Sequence, residues 1–202
     1  MRIQSIAVAI AVAIAPVLGC DLGALNPPED SVRLTAADIA TAEGVGCANG
    51  WVTGDPAQDV PKAIRRFEEI GIPIVDNPGN PFSTAMAKQS ELWVESGFFR
   101  RPLDVQARVL AHELVHYCQR AEMGDDAFDG ALVKPVGRWR AEVPAYREQF
   151  RVMRLQGWSP SKLDREMRKR LGSMRATYSL GGIEREQYEA ETLRIWRTEL
   201  EG

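Results

Sequence analysis

Residues 109–120 read VLAHELVHYCQR and hold both histidines of this 202-residue chain, His112 and His116, with Glu113 directly after the first. On an α-helix each residue advances by about 100°, so the two imidazoles lie about 40° apart, above Val105 and Val109. Leu110, Leu114 and Tyr117 take the opposite side and offer it to a core. Two neutral imidazoles at i and i+4 reach one divalent ion at about 2.0–2.1 Å, and Glu113, displaced by about 100°, stands beside that ion without having to ligate it. That is the geometry of a base next to a metal-bound water.

Outward from this helix, the pattern alternates helix and strand signals before becoming helical throughout. VPKAIRRFEEIG, residues 60–71, spaces Val60, Ile64 and Phe67 by four and three, and puts Gly71 where a helix is capped. IPIV (72–75) reads as a strand ending in the turn-rich DNPGNP, and STAMA (83–87) and ELWVES (91–96) as two more. Pro102 suits the first turn of the histidine helix, which should run to about Arg120. Beyond it, helices are expected at about 138–156, 160–179 and 184–200, the last two opened by Ser159-Pro160 and Gly181-Gly182. TAADIATAEG (35–44) predicts a further short helix capped by Thr35. The order implies an α+β fold: a small antiparallel or mixed sheet packed on the histidine helix, followed by a largely helical C-terminal half, in one domain spanning 35–202.

HELVH within VLAHELVHYCQ resembles the zincin superfamily of metallopeptidases. The metzincin pattern would continue with Gly at 119 and His at 122, where this chain has Gln119 and Glu122 and holds no third histidine. The resemblance that remains is to compact gluzincins, whose third ligand is a glutamate on a later helix, and it implies Glu142 in RWRAEVPAYREQF. Glu142 follows His116 by enough chain to turn through GDDAFDG and return antiparallel, and it borders an apolar side made by Val143, Tyr146, Phe150 and Met153. Glu122, Asp125, Asp126, Asp129 and Cys47 are the other candidates for that place. Many gluzincins carry ExxxD here, and Tyr146 stands where the aspartate would fall.

The resemblance spans about residues 57–156 and implies a zinc-dependent peptidase. His112, His116 and Glu142 would hold Zn2+ and Glu113 would act as general base on a metal-bound water attacking a peptide or protein substrate. Tyr146, Tyr178 and Tyr188 are the candidate oxyanion donors. ELWVES would be the edge strand that binds an extended peptide, with STAMA its neighbour. The alternative is a non-catalytic envelope lipoprotein of zincin-like fold, acting as a binding or assembly factor.

The N-terminus supplies the compartment. Met1-Arg2-Ile3-Gln4 leads into the apolar IAVAIAVAIAPVL, 13 residues long, which fits a signal-peptide core and is shorter than the roughly 20 residues of a membrane span. VLGC (17–20) resembles the lipobox of bacterial lipoproteins, which implies a signal peptide over 1–19, a diacylated Cys20 as membrane anchor, and a Pro-containing tether over 20–34. Asp21 resembles the signal that retains some such lipoproteins at the inner membrane. The expected location is the cell envelope, facing the periplasm or the exterior. In that oxidising setting Cys47 and Cys118 can form a disulfide, the alternative being two buried thiols. With 25 Lys plus Arg against 28 Asp plus Glu and no basic run, nucleic acid is not an expected partner.

Overall fold

A computed structural model describes residues 51–76, 85–178, 180 and 182–201. The signal peptide, Cys20, Asp21, the helix expected at 35–44 and Cys47 lie outside the described residues. The fold is α+β and mostly helical, with one small mixed sheet.

Helix α1, Pro56–Glu69, begins at a proline whose missing N–H costs nothing in a first turn, and Asp55 caps it by accepting from the Ala57 N–H. Asp59, fully buried, accepts from the Thr53 N–H, the Thr53 hydroxyl and the Gly54 N–H, which fastens the entering chain to the helix. Val60, Ala63 and Phe67 face the core. At the far end, the Gly71 and Ile72 N–H groups bond back to the Glu68 and Phe67 carbonyls, with Gly71 at φ +74°, and the chain turns into the sheet.

Three short strands follow, β1 (Ile74–Asp76), β2 (Ala85–Ala87) and β3 (Leu92–Val94), in the order β1-β3-β2. β1 runs parallel to β3, and β2 antiparallel to it. Leu92 and Val94 turn to the core while Trp93 takes the other face, as a period of two requires. This arrangement corrects one expectation: ELWVES forms the centre of the sheet, and it is β2, from STAMA, that lies at an edge among the described strands and packs on the histidine helix. Three-residue strands of similar apolar character carry no signal that orders them.

Helix α2, Leu103–Met123, holds the histidines; α4, Pro135–Leu155, holds Glu142. Gln119 donates to the Ala141 carbonyl and Gln156 to the Asp104 carbonyl, so the start of each helix lies beside the end of the other and the pair is antiparallel. The connection is itself helical, α3 (Asp125–Leu132), rather than the open turn expected from GDDAFDG. Asp125 and Asp126 in its first turn complement the helix dipole, Arg120 pairs with Asp125 and Asp129 one turn apart, and Phe128 is buried.

Helices α5 (Pro160–Thr177) and α6 (Gly182–Arg197) complete the C-terminal half. Helix α4 serves two cores. Ala145 and Val152 join the sheet, α1 and α2; Trp139, Val143, Phe150 and Met153 join α5 and α6. Two buried indoles pin α6 across α4 on either side of Glu142, Trp139 donating to the Thr192 hydroxyl and Trp196 to the Val143 carbonyl. No described helix is long and apolar enough to cross a membrane.

Candidate metal centre

The two faces of α2 diverge as the 3.6-residue period dictates. Leu110 and Leu114 vanish into the core, Tyr117 packs edge-on against Phe67, and His112 and His116 face α4. His112 Nε2 lies 3.3 Å from His116 Nε2 and 3.3 Å from Glu142 Oε2, while Glu142 Oε1 is 3.9 Å from His116 Nε2. All three ligand atoms fall within 4.8 Å of one another, a group able to hold a metal ion. Ligands at about 2.0–2.1 Å around a tetrahedral ion are separated by about 3.3 Å, so the donor set and its spacing fit one divalent cation.

The tautomer of His116 follows from its neighbours. Gln119 Nε2 donates to the Ala141 carbonyl, which turns its amide oxygen toward His116 Nδ1 at 3.0 Å. Nδ1 therefore carries the proton and donates, leaving the Nε2 lone pair for a metal. Gln119 was not among the residues singled out for the site, although its spacing of three from His116 puts it on the same helical face. Gln119→Leu is expected to weaken metal affinity by roughly 10–100-fold, the usual cost of losing such an outer partner, with the fold retained. Metal titration of the variant checks this, and an unchanged affinity would remove Gln119 from the site.

His112 is held differently. Its ring packs against Tyr146 with centroids 4.6 Å apart, and its buried Nδ1 has no hydrogen-bond partner among the described residues. Tyr146 thus packs on the ring of the first histidine, while the other ring nitrogen, Nε2, lies against His116 and Glu142.

The two carboxylates sit in opposed electrostatic environments. Burial pushes Glu113 up to about 7; Glu142 adds to the rise, while His116 and the Ala87 N–H, 2.9 Å from Glu113 Oε2, oppose it. Burial also disfavours ionised Glu142, but the hydrogen bond and charge of His112, the charge of His116 and the Tyr178 hydroxyl together hold it down to about 2. One carboxyl of the site is thus favoured in its ionised form and its neighbour in its protonated form.

Tyr178, at the end of α5, donates to Glu142 Oε1 at 3.0 Å. Burial, with the negative charge of Glu142 beside it, raises its pKa well above the ordinary phenol value, so it remains a donor. Tyr188 is buried in the C-terminal core, where its hydroxyl accepts from Arg140. Asp125 and Asp129 pair with Arg120, and Glu122 and Asp126 are exposed; none of these four joins the ligand group. Cys118 is disulfide-bonded, and its expected partner Cys47 lies outside the described residues.

Helix α2 is also joined to the sheet beside the site. Tyr117 donates to the Glu91 carbonyl and accepts from the Lys88 N–H, holding the β2–β3 turn, and Ala87 reaches Glu113. Because Lys88 pairs with Glu91 across the ladder, alternation turns the backbone groups of Ala85 and Ala87 away from β3. Compared with known proteins, the chain matches no protein-family model, no curated protein and no solved structure.

Proposed function

We propose that the chain is a zinc-dependent peptidase of the zincin type, related in arrangement to compact gluzincins. The observation that supports it best is the convergence of His112, His116 and Glu142 with a buried, raised-pKa Glu113 directly beside them. A His-His-Glu set of this spacing, its first histidine buried and the other two groups half-buried, suits zinc, which when bound acts as a Lewis acid and lowers the pKa of water from about 15.7 toward about 7.

The remaining work belongs to the chain. Glu113 Oε2 is oriented by the Ala87 N–H, takes the proton of the attacking water and passes it to the leaving amine. A substrate strand laid along β2, which lies at an edge among the described strands, would pair with the backbone groups that face away from β3 and set its scissile carbonyl beside Glu113. Tyr178 keeps one oxygen of Glu142 occupied, and Tyr146 flanks His112 where an oxyanion donor would be useful. In this reading Cys20 bears the lipid and keeps the domain at the envelope surface, where its substrates are peptides or proteins.

One feature favours the rival reading of a binding or assembly factor: among the described residues no carboxylate meets the buried His112 Nδ1. Incubating the detergent-purified, zinc-loaded full-length chain with a peptide library separates the two. Cleavage that a chelator stops and added zinc restores is expected; intact peptides beside a correctly loaded protein would favour the binding role.

A further inference from the structure

Arg108 lies one turn before His112, so Arg108, His112 and His116 form a single stripe along α2. Its Nη1 atom is buried and has no hydrogen-bond partner among the described residues. The guanidinium lies over the ring of Trp158, 5.3 Å from its centroid. Burial lowers the pKa of Arg108, and although the charges of Asp104 and Glu166 counter this from nearby, Arg170 adds a like charge.

Arg170 approaches the metal centre from α5. Its guanidinium lies 5.7 Å from the centre of the Tyr146 ring, and that ring packs on His112. Glu166 bonds Arg170 at 2.9 Å and is also 3.9 Å from Lys169, so this carboxylate is divided among several cations. A buried guanidinium donor left unbonded is costly, and a residue kept only for packing would do as well without it.

We propose that Arg108 and Arg170 form a carboxylate-binding site flanking the metal centre, so that the substrates are peptides carrying an anionic group close to the scissile bond. The planar forks suit the two oxygens of a carboxylate, and the rise from Arg108 to His112 is about 6 Å, within reach of a residue or two of extended peptide. The carboxylate can be a peptide C-terminus or an Asp or Glu side chain; both present the same chemistry. The inference rests on the peptidase reading of the site.

The test uses full-length, zinc-loaded protein carrying Glu113→Gln, which binds without turnover, and three peptides of one sequence: a free C-terminal acid, its amide, and an amide with one internal neutral residue replaced by Glu. Calorimetry is expected to show at least one acidic peptide binding roughly 10–100-fold more tightly than the neutral amide, and the tighter of the two identifies the source. Arg108→Met and Arg170→Gln should each shrink that ratio toward one, and Arg108→Lys should retain part of it. Zinc content reports folding; if Arg108→Met does not load, Arg170→Gln decides. Equal binding of all three peptides, or a ratio that survives in loaded variants, would overturn the proposal. Cleavage by the wild-type chain without preference for acids would sink this inference and leave the peptidase reading standing. Arginine-dependent binding without any cleavage would do the reverse.

Discussion

Replacing Glu113 by Gln is expected to lower kcat/KM for peptide hydrolysis by about 10²–10⁴-fold while zinc content stays at one ion per chain. The side chain is buried beside the metal group, and the hydrogen bond it accepts from the Ala87 N–H can be accepted by an amide oxygen as well as by a carboxylate. The substitution therefore leaves the fold and ligands intact and removes the proton acceptor alone. Burial and the charge of Glu142 raise the pKa of Glu113 to about 7, against the opposing effects of His116 and the Ala87 N–H. Turnover that survives in Glu113→Gln would place the base elsewhere.

Removing the third ligand should act on the metal instead of the chemistry. Glu142→Gln keeps an acceptor for Tyr178, yet it replaces a carboxylate held ionised down to about 2 by a neutral amide, a poor zinc ligand. Affinity should fall by more than about 100-fold, beyond the range for losing an outer partner such as Gln119. Competition with a chromophoric chelator measures it, and circular dichroism should show the helices retained. An unchanged affinity would mean that the ion takes its third ligand from another group.

The site was legible in the sequence where its geometry is local. His112, Glu113 and His116 obey the helical period, so their common face follows from spacing alone, and the apolar residues behind them announce a buried helix. Glu142 needed a resemblance, because nothing in the spacing alone tells a ligand from a solvated helix carboxylate. Helix α3 went unread since its stabilisation comes from Arg120, which precedes it, and from burial of one phenylalanine, neither visible as a period. The edge position of β2 was hidden for a related reason: pairing order among three very short strands is decided by what α2 and Tyr117 hold, through contacts spanning 26 and 29 residues. Tyr178 reaches Glu142 across 36 residues, and only the packing of α5 on α4 brings them together. The C-terminal helices, which resemble nothing named from the sequence, thus bury the far side of the Glu142 helix and supply one of its hydrogen bonds.

The central claim is that two neighbouring imidazoles and one carboxylate from the adjacent helix close around a single ion. X-ray absorption on the zinc-titrated chain tests it most directly. The account requires one tightly held ion per chain, with two histidine nitrogens at about 2.0–2.1 Å and carboxylate oxygen at about 2.0–2.2 Å, and loss of the oxygen shell's protein contribution in Glu142→Gln. A folded chain that takes up no zinc, or an ion bound without imidazole, would contradict it.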